Sequence, residues 1–358
     1  MKGLILAGGL GTRLRPLSHT GPKQLVPVAN KPVLFYGIEA LRDAGIKEIG
    51  IIVGYTDERI QFIKDACGDG RQFGVNITYI RQDAPRGLAH AVGITEKFMN
   101  GDDFIVYLGD NILKSGIKNF VEDFKKSNAD ISLLLSKHKT PEKFGVALFN
   151  ENNEVVYVEE KPKNPKTDYV ITGIYLFRNN IFDAIKRVKP GAKGELQLTD
   201  AIKEFVLNGN KKVKATIVDG WWDDTGNAED IIRANHLVLM DLKGKIKGRV
   251  EEGVKIIGEV EVGEGSVIKN GSKIKGPVII GKNCVIEGYI GPYTSIGDNS
   301  KIKGGEIESS IIVGDVSINF SEKIVDSLIG KDTVIDSSGN DLPKGHRFIL
   351  GEHSEVRI

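Results

Sequence analysis

Cysteine is almost missing from this chain: Cys67 and Cys284 are the only two among 358 residues. They are too few and too far apart for a disulfide framework or a thiolate metal site, so both read as small buried hydrophobes. No apolar run approaches the roughly 18 residues that a membrane helix needs, and the apolar start of the chain stops at Gly8 without a cleavable pattern. A cytoplasmic protein with no membrane contact is therefore expected, in which the Asn-x-Ser/Thr matches at Asn76, Asn270 and Asn319 carry no meaning. Charge of one sign is not in excess either. A net charge of +1 gives no electrostatic case for nucleic acid or any other strongly charged partner. Two familiar phosphate motifs are also lacking: the dinucleotide fingerprint is without its third glycine, and Gly-Lys-Ser/Thr does not occur. Those absences exclude a Rossmann dehydrogenase and a P-loop NTPase.

What is present begins at once. Gly3-Leu4-Ile5-Leu6-Ala7 is a short apolar run suited to a buried parallel strand, and Gly8-Gly9-Leu10-Gly11 ends it. Glycines there let consecutive N–H groups approach an anion or a base edge. Thr12, Arg13 and Arg15 follow, and Lys23 comes shortly after. A guanidinium fork and a flexible ammonium together suit a polyphosphate, although a plain tight turn with surface arginines would leave the same trace.

The combination Gly8-Gly9-Leu10-Gly11-Thr12-Arg13-Leu14 with Pro22-Lys23-Gln24-Leu25 resembles the sugar-phosphate nucleotidylyltransferases, whose signature is GGxGTRL followed by PK. Within that superfamily the PKQL form looks like the glucose-1-phosphate thymidylyltransferases. The resemblance implies that Gly8, Gly9, Gly11, Thr12 and Arg13 meet the nucleotide and that Lys23 is catalytic. It makes Gln24 the reader of the pyrimidine edge, since an amide both donates and accepts.

Further along, Pro32 opens an expected helix to Ala44, Ile49 to Val53 reads as a second strand, and Ile77 to Arg81 as another. Strand and helix keep alternating, which specifies an α/β, Rossmann-like domain with a mostly parallel mixed sheet and ligands at the carboxyl ends of its strands. Gln82 to Ala91 matches the family's Q-x-x-P-x-G-L-A, which makes Gln82 and the backbone of Gly87 further base contacts. His90 reads as a supporting or packing histidine, because the chemistry requires no proton abstraction. Phe104 to Leu108 is a strand closed by Gly109-Asp110-Asn111, and a carboxylate there can reach a cation at the mouth of the sheet. By resemblance Asp110 is a Mg²⁺ ligand, and Asn111 lies on the sugar-phosphate side; an ordinary turn is the plain alternative. A helix over Ser115 to Asn128 and a strand over Ile131 to Lys137 are expected next. The family's FGV turn follows at Phe144-Gly145-Val146, and its EEKP at Glu159 to Pro162. These motifs imply that Gly145 lets the hexose approach, Glu160 bonds sugar hydroxyls and Lys161 holds the sugar phosphate. Thr172, Gly173 and Glu195 complete the implied sugar contacts, with Thr199 as helix N-cap. Trp221 to Gly226 resembles W-x-D-T-G, which makes Asp224 the second metal ligand, with Asp223 in the variable position and Asn227 capping the next helix.

From Val250 the pattern changes. Val250, Ile256, Val262, Ile268, Ile274, Ile280 and Ile286 recur every sixth residue; the register slips at Ile290, resumes through Ile296 and Ile302, and is irregular at Ile307, Ile312, Ile318 and Ile324. A hexapeptide repeat specifies a β-helix. The expected organisation is thus a catalytic domain over residues 1–242 and a left-handed parallel β-helix over 243–358. The β-helix is expected to be a structural or homo-oligomerising module. An acyltransferase is the alternative, but no histidine loop interrupts the repeats, and His346 and His353 lie in the tail. The resemblance implies thymidylyl transfer from dTTP to glucose 1-phosphate with Mg²⁺ as cofactor. A UTP-dependent or broad-specificity relative and a non-catalytic sugar-nucleotide sensor are the rival readings.

Overall fold

The computed structural model describes residues 1–19, 21–191, 194–207, 212–337 and 354–356. The chain divides into two compact units. The first comprises Met1–Leu10, Gly21–Leu25 and Val33–Asp224; the second comprises Gly11–Thr20, Val26–Pro32 and Thr225–Ile358. His346 and His353 lie outside the described residues.

The first unit is built on a nine-stranded mixed sheet. Lys2–Leu6 is central and pairs in parallel with Glu48–Val53 on one side and Phe104–Leu108 on the other; Asn76–Arg81 extends the parallel set. Tyr169–Phe177 then runs antiparallel against Phe104–Leu108, and Ile131–Lys137 and the hairpin of Gly145–Phe149 and Val155–Glu160 join it. The parallel strands are apolar throughout because both faces are covered. Leu4, Leu6, Phe104 and Val106 fall in one core cluster, whereas Ile5, Ile51, Ile105 and Tyr107 fall in the other. Strand alternation alone produces that division, and each such buried side chain contributes about 1.5–3 kcal/mol.

Helices cover the sheet with matching stripes. Val33–Asp43 buries Val33, Leu34, Gly37, Ile38 and Leu41, and Leu198–Leu207 buries Leu198, Ala201, Ile202 and Phe205, both at helical spacing. The helix expected from Ser115 is shorter, Lys118–Lys126, since Gly116 takes φ 68° and Ser127 is extended. The expected turn at Gly145 is the first residue of a strand.

In the second unit, short parallel strands stack into a β-helix. Val260 pairs with Val278, Val267 with Val285 and Ile256 with Ile274, each three hexads on. Val262, Ile268, Ile274, Ile280 and Ile286 form its buried core with Ile290, Ile296, Ile302, Ile307, Ile312 and Ile318. The slip in the sequence repeat has a structural cause. The coil that starts at Lys273 is two residues shorter than those before it, so Lys273 pairs with Tyr289 and Val278 with Thr294, and the ladder is irregular between Glu287 and Tyr289, where Gly288 has φ 142°. The inward stack survives because the aliphatic positions shift with the corner. The same unit contains the hairpin Pro27–Val28/Lys31–Pro32 and the helix Ala228–Leu239, whose cap Asn227 accepts the Asp230 N–H at 2.9 Å. Cys67 and Cys284 are free and buried. No helix among the described residues is long and apolar enough to cross a membrane.

Candidate active site

The parallel strands end on one side, and their last residues deliver the motif side chains there. Ala7 N–H bonds the Ile52 carbonyl, Gly109 N–H the Leu6 carbonyl and Gln82 N–H the Val53 carbonyl, so three strand ends stay in register as they open into loops. A β-carbon on Gly8 would stand 3.2 Å from Gln82 Oε1, and one on Gly9 would stand 3.8 Å from Lys23 Cε and 3.9 Å from Gln24 Nε2. The glycine turn therefore lies directly against both candidate base readers.

Gln24, in the single turn Lys23–Leu25, is 2 % exposed, and its Oε1 is buried without a hydrogen-bond partner. Gln82 is buried and its Nε2 lies 3.2 Å from His90 Nδ1, while His90 Nε2 lies 3.3 Å from Asp83 Oδ1. His90 thus props Gln82, as a supporting histidine would. The Lys23 ammonium is ion-paired with the Asp110 carboxylate, both mostly buried. Asp110 Oδ1 also accepts from Asn111 Nδ2 at 3.1 Å.

Asn111 organises the next layer. It is buried, its Oδ1 accepts the Trp222 indole N–H at 2.6 Å, and its carbonyl accepts the Tyr107 hydroxyl at 3.1 Å. Burial, and then the nearby Asp110 charge, push the Tyr107 phenol well above its usual range, so it stays a donor. Trp222–Asp224 pairs antiparallel with Asn111–Leu113, with Asp224 opposite Asn111. The two aspartates proposed as metal ligands consequently sit at adjoining backbone positions. No group of three or more His, Cys, Asp or Glu able to hold a metal occurs among the described residues. Two carboxylates fit a hard cation such as Mg²⁺, which typically takes one or two of them and completes its shell with phosphate oxygens and water.

The sugar-side motifs form a second cluster. Glu160 Oε2 accepts the Thr199 hydroxyl at 2.6 Å, and a β-carbon on Gly145 would stand 3.1 Å from that carboxylate oxygen and 3.3 Å from Thr199 Oγ1. Thr199 is the second residue of its helix and spends its hydroxyl on Glu160; it is not the expected cap. Lys161 has φ 44°, its N–H bonds the Phe144 carbonyl at 3.0 Å, and its ammonium is exposed, 3.6 Å from Glu160 Oε1. Gly173 has φ 79°, and a β-carbon there would meet Leu108 Cδ1 at 2.6 Å and Asn111 Nδ2 at 3.2 Å. Thr172 is fully buried and donates to the Leu134 carbonyl at 2.9 Å. Gly87 has φ 98° and lies against Leu196, which brings the base loop to Glu195; Glu195 Oε2 accepts from Gln197 Nε2 at 3.1 Å.

Gly11, Thr12 and Arg13 group with the second unit. Gly11 takes φ 66° ahead of the turn Thr12–Leu14, and its carbonyl accepts the Ser18 hydroxyl at 2.7 Å. Thr12 and Arg13 are exposed.

Sequence reasoning passed over two contributors. Trp222 positions Asn111 and stacks edge-on with Phe144, ring centres 5.5 Å apart, which links the aspartate cluster to the sugar-side cluster. His138 joins both rings, at 4.7 Å from Phe144 and 6.1 Å from Trp222. The doubled tryptophan beside Asp223-Asp224 was the available signal for the first; nothing local marked the second.

Residues 2–240 match the nucleotidyl transferase family. Over 360 residues, the full length of both, the chain is 47% identical to the low-salt glycan biosynthesis nucleotidyltransferase of Haloferax volcanii. Over 359 residues, 100% of this chain and 99% of the other, it is 46% identical to a glucose-1-phosphate thymidylyltransferase of Streptomyces antibioticus. A crystal structure from Bacillus anthracis, of a protein assigned as a glucose-1-phosphate thymidylyltransferase and bound to sucrose, superposes with TM-score 0.63 at 38% identity, covering 68% of this chain and 97% of that one.

Proposed function

Because the chain belongs to the nucleotidyl transferase family, we propose that it transfers a thymidylyl group from dTTP to glucose 1-phosphate, giving dTDP-glucose and pyrophosphate. The observation that carries this reading is the convergence at the strand ends of the buried, unpartnered Gln24 oxygen with the Lys23–Asp110 pair and Asp224. A base reader and an anion-handling cluster belong together only where a nucleotide is held by both ends.

In this proposal a phosphate oxygen of glucose 1-phosphate forms a bond to the α-phosphorus while the bond from that phosphorus to the β-bridging oxygen breaks, and the electron pair leaves with pyrophosphate. No proton has to be removed. Nucleophile and leaving group are both anionic, so the barrier is repulsion and alignment. Gln24, Gln82 and the backbone at Gly87 fix the base. Gly8, Gly9, Gly11 and Thr12 offer backbone to the phosphates, which Arg13 and Lys23 neutralise. Lys161 grips the sugar phosphate, with Asn111, Gly145, Glu160, Thr172, Gly173 and Glu195 shaping the hexose side. Asp110 and Asp224 would hold Mg²⁺, which supplies charge neutralisation between the reacting phosphates.

The proposal takes residues 1–242 as the transferase and 243–358 as a homo-oligomerising β-helix, in a cytoplasmic enzyme that handles neither nucleic acid nor membrane. The test is a panel of nucleoside triphosphates against sugar 1-phosphates, with release of pyrophosphate as the readout. Preference for dTTP with glucose 1-phosphate is expected; equal turnover with UTP would widen the assignment, and no pyrophosphate from any pair would refute it.

A further inference from the structure

The loop that carries Lys23 and Gln24 is flanked on both sides by segments of the β-helix unit. Before it, Gly11–Thr20 belongs to that unit, and Leu17 Cδ2 lies 2.9 Å from the position a β-carbon would take on Gly330, in a late coil. After it, the hairpin Pro27–Val28/Lys31–Pro32 turns at Ala29 and Asn30, which take φ 46° and 59°. Such values are unusual for alanine, so the turn depends on what holds it.

A buried amide helps to hold it. Asn235, fully buried in the helix that follows Asp224 and Asn227, accepts the Ala29 N–H at 2.8 Å and the Ser295 hydroxyl at 2.6 Å on the same oxygen, and donates to the Tyr293 carbonyl at 3.0 Å. Asn30 Nδ2 adds a bond to the Ile296 carbonyl at 2.7 Å. Three distant stretches thus meet at a single side chain: the turn after the PKQL motif, the helix after the second aspartate, and a coil of the β-helix.

We propose that Asn235 is a positioning residue through which the β-helix sets the Lys23–Gln24 loop, so that the C-terminal repeats serve nucleotide binding in the same chain. The kinetic part of this inference rests on the thymidylyl-transfer reading; the structural part does not.

The experiment uses the full chain with Asn235→Ala, Asn235→Asp and Asn30→Gly. The aspartate keeps the oxygen that receives Ala29 and Ser295, and the glycine keeps the left-handed turn while deleting the bond to Ile296. Hydrogen exchange over residues 21–32 and the KM for each substrate are measured separately. Asn235→Ala is expected to lose protection in that segment and to raise the dTTP KM about tenfold or more, because small displacements of a positioning group cost up to roughly a hundredfold. The glucose 1-phosphate KM should stay within about twofold. Asn235→Asp should restore part of both effects, and Asn30→Gly should reproduce them in weaker form if Asn235→Ala does not fold. Unchanged protection and unchanged dTTP KM in the variants that fold would overturn the proposal, as would equal rises in both KM values. If the wild type turns over no substrate pair, the functional reading fails while the exchange experiment still decides this one.

Discussion

Gln24 allows the base-reading role to be separated from a packing role, because removing its polarity should help one property and harm another. Its side chain is 2 % exposed, and its buried oxygen accepts nothing. An amide oxygen in that condition costs about 1–3 kcal/mol, a burden relieved when a donor such as the imide N–H of thymine arrives. Gln24→Leu keeps most of the volume and deletes the orphan. The ligand-free protein should then melt higher, by about 2–4 °C for each kcal/mol recovered in a unit of this size. Nucleotide binding should lose the same 1–3 kcal/mol, which is about a 5- to 150-fold rise in dTTP KM. Gln24→Glu should move both quantities unfavourably, since a carboxylate cannot donate and its unpartnered burial costs more. Thermal unfolding without ligand and pyrophosphate release against dTTP concentration are the two assays. A leucine variant that melts lower and keeps the wild-type dTTP KM would refute the reasoning.

Asp110→Asn leaves Lys23 without its ion-pair partner and weakens one of the two carboxylates proposed to hold the metal; turnover in saturating Mg²⁺ should fall about 10²- to 10³-fold, and near-normal turnover would remove Asp110 from the site. Gly87→Ala combines φ 98° with a β-carbon 2.5 Å from the Leu196 carbonyl. It should destabilise the first unit by about 1–3 kcal/mol or more, read as a lowered urea midpoint; an unchanged midpoint would contradict the close packing of these two loops. Burial holds His236 below its ordinary pKa, against the pull of Asp326. The unfolded chain then binds more protons near pH 6.5. The stability tied to His236 is complete above that value and is lost as pH falls through the lower folded value; His236→Gln should flatten the pH dependence of β-helix unfolding in that window.

Much of this architecture is written locally. Leu4 and Ile5 fall on opposite faces because strand geometry leaves no choice, and the aliphatic residue at every sixth position specifies the β-helix. The shortened coil at Gly288 was visible as a slip at Ile290, although the sequence does not say that two residues leave a corner. Side-chain destinations were less legible. Thr199 has the residue type of a cap, yet it is the second residue of its helix and not the one before it, and its hydroxyl donates to Glu160. Thr172 lies in a family motif, and its hydroxyl is engaged with Leu134 inside the sheet. The role of Trp222 depends on pairing Asp224 with Asn111, a contact between segments more than a hundred residues apart.

The same distance in sequence explains why the ties of the PKQL loop escape a linear reading. Ala29-Asn30 looks like an ordinary polar turn, and Asn235 looks like one more polar residue on an amphipathic helix. Neither position departs from its local pattern, since a left-handed alanine is strained only once the hairpin register is fixed. Lys161, at φ 44° before a proline, is a parallel case: the residue ahead of proline prefers extended backbone, but the bond from its N–H to Phe144 holds it otherwise and leaves the ammonium 63 % exposed. Both departures adjoin proposed ligand-contacting side chains, and in both a hydrogen bond from elsewhere in the fold keeps the backbone where local preference would not. Folding energy supplied by the sheet and the β-helix is thus spent at the two places where the proposed reaction needs a cation or an amide held still.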